Sequence, residues 1–456
     1  MVPLEDRRYL IYAPLRQAAL VGNSAVVNFL ADCKEGTWTQ EADPDASLEA
    51  LLTDLEILDG GEEYEPITTF RGKPQPVEVT LFLTTACNLR CTYCYAQAGD
   101  TPTRFMQPDV AKRGIDFVAR NAVKRKLPEI VVNYHGGGEP TVNWPTMTES
   151  FAHAKEVTSR LGLRVVGSTA TNGVLRDSQI DWVVKNLHGA SVSFDGRPDI
   201  QDTNRPTVGG KSSSAEVVHT LKRFDDAGFP YGIRMTCTKE NIPALADSVD
   251  YICATFQTSR IQVEPAYQMG RWRDAPSAET EEFIAAYREA QCRAAKYGKR
   301  ITFSGARVGN LTNHFCGVTQ DSFSLSPDGN VSGCFEVFSE ADEHAGIFFY
   351  GAPEDSEEAG GYQFDKKKLS HLRKQAVQNR DFCKGCFAKW TCAGDCYHKS
   401  LTVNGTTEFA GSDRCHIIRE LTKDQILERI ARSGGIAWKG DLDEACQHSA
   451  GKEMFV

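Results

Sequence analysis

The sequence lacks any apolar run near the ~20 residues that a transmembrane helix needs, and no apolar signal-peptide core follows its charged start, MVPLEDRRYL. Basic residues are in deficit, since 51 Lys and Arg against 61 Asp and Glu give a formal net charge of -10. Proteins that bind nucleic acid along its backbone are normally basic. We therefore expect a cytoplasmic protein whose partners are neither membranes nor nucleic acids.

Cysteine, in contrast, is abundant, with 15 residues in a chain of 456. Without an expected secretion signal, free thiolates in a reducing compartment are favoured over disulfides. Three cysteines, Cys87, Cys91 and Cys94, lie in CNLRCTYCYA directly after the apolar run VEVTLFL. A 4Fe-4S cluster that only carries electrons takes four thiolates, so three leave one iron open to another ligand. The alternative is a structural zinc site or buried thiols, although zinc sites typically use C-x2-C pairs.

A second cysteine array occupies the C-terminal part of the sequence. Its members are Cys316, Cys334, Cys383, Cys386, Cys392, Cys396 and Cys415. Seven cysteines at these intervals are hard to obtain by chance, and they favour metal binding. Most of the other cysteines are expected to be small buried apolar residues. These are Cys33, Cys237, Cys253, Cys292 and Cys446.

Between the two arrays, β-rich runs alternate with amphipathic helical stretches such as AKRGIDFVARNAV and AEVVHTLKRFDDAG. The runs start near Val77, Ile130, Arg164, Ser191, Tyr231 and Arg260. This alternation predicts an α/β fold with a parallel sheet and helices outside it. Ligands of such a fold gather at the carboxyl ends of the strands, and CNLRCTYCYA follows the first strand.

The CxxxCxxC spacing, with Tyr93 before the last cysteine, resembles the signature of the radical S-adenosylmethionine (radical SAM) enzymes. The resemblance implies a partial (β/α)6 barrel whose first 4Fe-4S cluster is held by Cys87, Cys91 and Cys94. In this family the open iron binds SAM, and an electron from the cluster cleaves it to methionine and a 5'-deoxyadenosyl radical.

The second array resembles the SPASM domain of peptide-modifying radical SAM enzymes, which holds two auxiliary 4Fe-4S clusters. The resemblance implies three clusters in all. One auxiliary cluster would be held by Cys383, Cys386, Cys392 and Cys415, and the other by Cys316, Cys334 and Cys396. The last interval of the array is one residue longer than is usual in the family.

The auxiliary cluster with three matched cysteines has an undetermined fourth ligand. Some relatives carry a further cysteine soon after the first, but the stretch GVTQDSFS after Cys316 contains none. The position is either open, and then free for a substrate thiolate, or filled by Asp321, His314 or Cys446.

Further strand ends resemble the SAM-binding segments of the family. YHGGGEP resembles the GGE motif, which contacts the amino group of SAM, TNG follows the third strand, and SFDG resembles the SxD segment that serves the ribose and carboxylate. The SAM contacts implied in this way are Tyr93, Gly137, Gly138, Glu139, Asn172, Ser193, Asp195 and Arg205. A plain turn is the alternative for the glycine triplet and for Asp195-Gly196.

The expected organisation is an N-terminal small α+β module (1–75), the barrel (76–300), a cysteine-rich SPASM domain (301–435) and a C-terminal tail (436–456). RGKPQP marks the first boundary, and GAPEDSEEAGG is expected to be an exposed insertion. In the module, residues Tyr9 to Val21 are expected to form strands, followed by one helix capped by Ser24 and another ending at a glycine. The module resembles the peptide-recognition domains of ribosomal-peptide maturases, which capture a leader by strand addition; a domain that only covers the barrel is the alternative.

The resemblance implies an oxidoreductase that crosslinks a ribosomally made precursor peptide through a C-C or thioether bond. A donor such as flavodoxin or ferredoxin would reduce its clusters. One alternative is a maturase that forms formylglycine in sulfatases. Such enzymes usually carry an aspartate where Phe335 follows Cys334, and Glu336 lies one place further on. The other alternative is a non-enzymatic iron-sulfur electron carrier.

Overall fold

The computed structural model describes residues 1–37, 46–58, 63–275, 279–355, 361–405 and 408–440. Cys446 and most of the expected tail lie outside the described residues. Within them, no helix is long and apolar enough to cross a membrane.

The N-terminal module combines a small antiparallel sheet with two helices. Its elements are β1 (Val2–Pro3), β2 (Tyr9–Ala13), β3 (Ala18–Gly22), α1 (Ser24–Glu35) and α2 (Ala46–Asp54). The fourth strand of the sheet, β15 (Ala437–Lys439), comes from the far end of the described chain and pairs antiparallel with β3. The edge of β3 is therefore already occupied.

Both helices of the module differ at one end from the sequence prediction. The cap of α1 is Asn23, not Ser24, because the Asn23 side chain accepts hydrogen bonds from the backbone N–H groups of Ala25 (3.0 Å) and Val26 (3.2 Å). Helix α2 ends at Asp54 rather than at a glycine. Two residues further on, Glu56 adopts a left-handed φ of 57°, and the N–H of Ile57 donates to the carbonyl of Leu52 at this helix end.

The barrel consists of parallel strands with helices packed on their outer side. Its strands are β4 (Glu78–Phe82), β5 (Glu129–His135), β6 (Arg164–Thr171), β7 (Gly189–Ser193), β8 (Tyr231–Cys237), β9 (Arg260–Pro265) and β10 (Arg300–Thr302). Its helices are α3 (Pro108–Arg125), α4 (Trp144–Leu161), α5 (Asp177–Asn186), α6 (Pro198–Asn204), α7 (Ser214–Asp226), α8 (Leu245–Thr255) and α9 (Thr280–Ala295). The six predicted strands are confirmed, and β10 adds a further parallel strand beside β9.

The alternation of side chains along the strands separates the hydrophobic core from the barrel interior. On β5, Ile130, Val132 and Tyr134 are fully buried and pack against the helices. Asn133 and His135 point to the other side and line the interior. The same alternation on β8 places Arg234 inside, so the interior is polar while the layer under the helices is apolar.

The cysteine-rich region continues the sheet of the barrel. Its elements are β11 (Ser324–Leu325), β12 (Val331–Ser332), β13 (Phe349–Pro353), β14 (Tyr362–Phe364), α10 (Ala345–Phe348), α11 (Lys366–Arg373), α12 (Lys389–Cys392), α13 (Tyr397–Asn404) and α14 (Asp413–Arg432). Strand β11 pairs in parallel with β4, and β12, β13 and β14 follow as antiparallel neighbours. The stretch GAPEDSEEAGG begins on β13 and leads to β14, and its residues 356–360 lie outside the described residues.

Candidate functional site

A cavity of about 2100 Å³ runs through the barrel interior. The ends of the parallel strands and part of the cysteine-rich region form its wall. Six of the cysteines of the two arrays line it: Cys87, Cys91, Cys94, Cys316, Cys334 and Cys396.

The CxxxCxxC loop connects β4 to α3 and lies at the carboxyl end of the sheet. The Cys87 thiol accepts a hydrogen bond from the backbone N–H of Leu89 (3.4 Å) and another from the side-chain amide of Asn172 (3.6 Å). Burial, with contributions from Glu139, Cys91 and Cys94, raises the pKa of Cys87 to about 12. A group of buried thiols that raise one another's pKa needs a cationic partner to become thiolates, which suits an iron-sulfur cluster.

The segment Gly137–Glu139 packs directly against the start of this loop. The N–H of Gly138 donates to the carbonyl of Thr84, and that of Glu139 donates to the carbonyl of Ala86, both over 2.9 Å. A Cβ atom on Gly138 would lie 1.9 Å from the carbonyl oxygen of Ala86. Only glycine permits this approach. Packing against Ala86 therefore requires a glycine at position 138, whether or not Gly138 also contacts SAM.

Glu139 is buried and joins three strand ends. Its carboxylate accepts hydrogen bonds from the hydroxyl groups of Thr141 (2.8 Å) and Thr171 (2.9 Å) and from the N–H of Asn172 (2.7 Å). Burial raises the pKa of Glu139, and these bonds counteract the rise. The carboxylate thus lies beside Cys87, and the contact with the amino group of SAM that the family resemblance implies for Glu139 stays a prediction.

Asp195 and Arg205 form a buried ion pair. The Arg205 Nε and Nη2 donate to the two carboxylate oxygens of Asp195 over 3.2 and 3.1 Å, and the N–H of Thr236 donates to the same carboxylate over 3.0 Å. The Tyr93 hydroxyl also donates to Asp195. Asp195 is therefore more than a turn residue, because it fastens the CxxxCxxC loop to β7 and β8. Its predicted contact with SAM, like those of Arg205 and Ser193, stays a prediction.

Arg271, which the sequence gave no reason to single out, holds the opposite side of the loop. Its guanidinium donates to the carbonyls of Cys91 (3.0 Å) and Ala98 (2.6 Å) and pairs with Asp100 (2.5 Å). The neighbouring Gly270 has a φ of 56°, and a Cβ there would lie 2.3 Å from the carbonyl oxygen of Cys94. The signal in the sequence was a Gly-Arg pair after a strand, which is too common to indicate a function.

The cysteines of the second array fall into two groups of thiols that influence one another's pKa, and their division into two sets of cluster ligands stays a prediction. Burial raises the pKa of Cys383 to about 11, with contributions from the nearby thiols of Cys386 and Cys415. Burial, Asp395 and the thiol of Cys415 likewise raise the pKa of Cys392. These four residues fit one fully ligated cluster.

The other group consists of Cys316, Cys334 and Cys396. Burial raises the pKa of Cys334, and Glu336, Cys396 and Cys316 raise it further. These thiols line the same cavity as the CxxxCxxC loop. They fit a second auxiliary cluster whose fourth position the thiols alone do not fill.

A buried network of charges lies between the two groups. The Arg414 guanidinium pairs with Asp395 through two hydrogen bonds (2.8 and 3.0 Å) and with Glu264 on β9 (3.1 Å). Asp395 precedes Cys396, and Arg414 precedes Cys415. The network therefore connects both ligand groups to the barrel, and the sequence gave no sign of it because its partners are distant along the chain.

The cysteines outside the arrays follow the sequence prediction only in part. Cys237 and Cys253 are buried, whereas Cys33 is half-buried and Cys292 is exposed. Cys446 lies outside the described residues.

Residues 81–252 match the family model described as the Radical SAM superfamily. The match begins in β4 and ends in α8, so it includes the CxxxCxxC loop, Gly137–Glu139 and Asp195. SkfB of Bacillus subtilis (strain 168), a sporulation killing factor maturation protein, is 25% identical over 57% of this chain and 60% of its own length. Two other curated relatives are covered over 57% and 39% of their own length. The chain therefore spans less than two thirds of the length of SkfB and of each of these two relatives.

The fold is similar to that of two solved structures. One, described as "Native anSMEcpe with bound AdoMet", has a TM-score of 0.62 at 17% identity and covers 78% of this chain and 99% of that chain. The other, Streptococcus suis SuiB bound to the precursor peptide SuiA, has a TM-score of 0.51 at 13% identity and covers 91% of this chain and 99% of that chain. At such identities the likeness shows the fold alone.

Proposed function

We propose that this chain, whose residues 81–252 form a radical SAM domain, is a three-cluster enzyme that installs a C-C or thioether crosslink in a ribosomally made precursor peptide. One observation carries the proposal: Cys87, Cys91 and Cys94 line the same cavity as Cys316, Cys334 and Cys396. An electron carrier needs no such cavity.

The size of the cavity supports a large substrate. Its volume of about 2100 Å³ exceeds the roughly 300–1,000 Å³ of ordinary small-molecule pockets. It can therefore hold SAM and a segment of peptide together. Its wall offers hydrogen-bonding groups from neighbouring strands, among them Asn133, Ser168, Ser191 and Gln262, which suit the amide groups of a peptide backbone.

The residues of the first site divide into ligands and supports. Cys87, Cys91 and Cys94 would hold a 4Fe-4S cluster, and the bound cluster supplies the electron that cleaves SAM to a 5'-deoxyadenosyl radical. Glu139 and Asn172 present polar groups beside Cys87, where the amino group of SAM would bind. Tyr93, Asp195 and Arg205 keep the loop in place.

The remaining parts of the proposal concern the partners. Three similar proteins support a peptide substrate. SkfB of Bacillus subtilis is named a maturation protein, MftC of Mycolicibacterium smegmatis is named a maturase, and SuiB was solved bound to the precursor peptide SuiA. We also propose a cytoplasmic location and an electron donor such as flavodoxin or ferredoxin. The N-terminal module would take part in peptide capture. Because β15 occupies the edge of β3, strand addition to the described sheet would use β15 itself or the opposite edge, which is formed by the short β1 and the part of β2 that β1 does not pair.

The sulfatase-maturase alternative has one observation in its favour. Glu336 lies in the cavity wall beside Cys334 and accepts a hydrogen bond from His398 over 2.8 Å. A carboxylate at this position can accept a proton from a substrate. A crosslink removes two hydrogens, and oxidation of a serine to formylglycine does so as well, whereas oxidation of a cysteine to formylglycine exchanges its sulfur for oxygen. Labelling with a hydrazide separates the alternatives, because a hydrazide reacts with the aldehyde of formylglycine and not with a C-C or thioether crosslink.

The test is anaerobic. The protein is reconstituted with iron and sulfide and mixed with dithionite, SAM and any small peptide encoded beside its gene, and 5'-deoxyadenosine and peptide mass are followed together. A crosslinking maturase gives deoxyadenosine and a peptide that is lighter by two hydrogens and does not react with a hydrazide. Cys91→Ala is expected to abolish both products, whereas Cys253→Ala, which removes a thiol outside both arrays and outside the cavity wall, keeps them. Absence of deoxyadenosine from the reconstituted wild type would favour the electron carrier.

A further inference from the structure

The fourth ligand of the cluster at Cys316, Cys334 and Cys396 can be sought among the described residues. Asp321 is engaged elsewhere, because both of its carboxylate oxygens accept hydrogen bonds from Arg373 (2.7 and 2.6 Å). His314 is engaged as well. Its Nδ1 bonds to the Thr319 hydroxyl (2.8 Å), and its Nε2 lies 3.0 Å from the carbonyl oxygen of Thr68. Both side chains are therefore already held by hydrogen bonds to other groups.

Glu336 is a further candidate for the fourth ligand, because it lies close to the thiols of this group. It follows Cys334 by two positions and lines the cavity that Cys316, Cys334 and Cys396 also line. One carboxylate oxygen of Glu336, the Cys334 thiol and one ring nitrogen of His398 lie within 4.8 Å of one another. Glu336 also influences the pKa of all three thiols, so its charge is close to each of them.

The two carboxylate oxygens of Glu336 have different surroundings. Oε2 accepts a hydrogen bond from His398 Nδ1 over 2.8 Å. Oε1 lies 3.9 Å from the Lys399 ammonium, which is too far for a hydrogen bond. Oε1 therefore keeps its lone pairs for another partner, and Lys399 balances part of the charge.

His398 is better suited to support the carboxylate than to replace it. Its Nδ1 is already bonded to Glu336, and its ring packs edge-on against His344 (centroids 5.2 Å apart) and Phe348 (5.4 Å). A hydrogen bond to a ligating carboxylate is a common way to fix its orientation at a metal.

We propose that Glu336 is the fourth protein ligand of the cluster held by Cys316, Cys334 and Cys396, and that His398 is a positioning residue for it. The inference rests on the proposed function only in that it needs the auxiliary clusters. It leaves no open iron for a substrate thiolate at this cluster. A carboxylate binds iron less tightly than a thiolate does, so the iron bound by Glu336 is the one most easily lost from this auxiliary cluster.

The test isolates the auxiliary clusters. In the full chain with Cys87, Cys91 and Cys94 replaced by alanine, reconstitution should give about eight irons per chain from two 4Fe-4S clusters. In that background, Glu336→Gln is expected to change the EPR spectrum of the dithionite-reduced protein. Brief ferricyanide treatment should then convert one cluster to a 3Fe-4S form, leaving about seven irons. Glu336→Cys should restore about eight irons and resist the treatment.

The controls address the other candidates. Asp321→Asn and His314→Gln are expected to leave the EPR spectrum unchanged, and His398→Phe to shift it without loss of iron. An unchanged spectrum and iron count in both Glu336 variants would overturn the proposal. So would the expected change appearing in Cys446→Ala instead. If the triple-alanine protein with Glu336 intact binds no iron, the three-cluster function itself is contradicted. This result distinguishes failure of the proposed function from failure of the Glu336 ligand proposal.

Discussion

The backbone of Gly138 lies so close to Ala86 that a Cβ atom on the glycine would be 1.9 Å from the alanine carbonyl oxygen. Ala86 immediately precedes Cys87. The segment after β5 can therefore pack against the start of the CxxxCxxC loop only if residue 138 has no side chain. The geometry of the first thiol group depends on this contact.

Gly138→Ala is therefore expected to displace the loop and to reduce the iron bound at the first site. Iron and sulfide analysis after reconstitution should show a loss of about four irons per chain, while the auxiliary clusters remain. Gly209→Ala is the matched control, because a Cβ atom there meets nothing within 4 Å. Full iron content in Gly138→Ala would contradict the packing argument.

Asp195→Ala is expected to destabilise the protein strongly. The substitution leaves the Arg205 guanidinium buried without its partner, and breaking a buried ion pair in this way typically costs about 3–5 kcal/mol. Urea unfolding and the thermal midpoint measure the effect. Glu129→Ala removes the partner of Arg164 in an exposed pair of similar length (2.9 Å) and should change little. Equal effects of the two substitutions would argue against the buried pair.

His135 should make the ligand-free protein less stable in mild acid. Burial, aided by Arg234, lowers the pKa of His135 to about 4, whereas an unfolded chain has a histidine pKa of ~6.5. Protonation thus favours the unfolded state. The contribution of His135 is fully present above ~pH 6.5 and is lost as the pH falls towards 4, by up to about 3 kcal/mol. The stability difference between wild type and His135→Asn should therefore shrink between pH 7 and pH 4.5, and a constant difference would contradict the prediction.

Proline substitutions test the pairing of β15 with β3. The N–H of Val21 donates to the carbonyl of Ile436, and that of Gly440 donates to the carbonyl of Gln17. By alternation, the Trp438 N–H points to β3 and that of Ala437 points away. Trp438→Pro should accelerate hydrogen exchange in β3 by about tenfold. Ala437→Pro should have little effect, and Trp438→Ala separates the loss of packing from the loss of the hydrogen bond.

The barrel was predictable because its signal is local. Each of the six predicted strands begins within two residues of its expected start, since hydrophobic runs and intervening helices mark them. The position of Cys87, Cys91 and Cys94 on one loop after the first barrel strand was predictable for the same reason, whereas their role as cluster ligands stays a prediction. The cap of α1 was missed by one residue because Asn23 and Ser24 are both good caps, and only the backbone geometry decides between them.

The residues that hold the site in place through hydrogen bonds and ion pairs were not predictable, because each lies far along the sequence from its partner. Arg271 bonds to the carbonyl of Cys91, which is 180 positions away, and Arg414 pairs with Glu264, which is 150 positions away. His398 and Glu336 are 62 positions apart. Nothing in the neighbourhood of such residues distinguishes them from ordinary surface charges, so only the fold brings them together.

The parallel pairing of β4 with β11 fixes the relation between the two halves of the cavity. Thr80 pairs with Ser324 and Leu81 with Leu325, so the strand that leads to Cys87 and the hairpin that leads to Cys334 are hydrogen-bonded neighbours. A hinge between these halves would have to break a continuous sheet. Because β11 lies between β4 and β12 in one continuous sheet, the separation between the first thiol group and Cys334 is set by the spacing of these strands, and any substrate has to enter the cavity without prising the two halves apart.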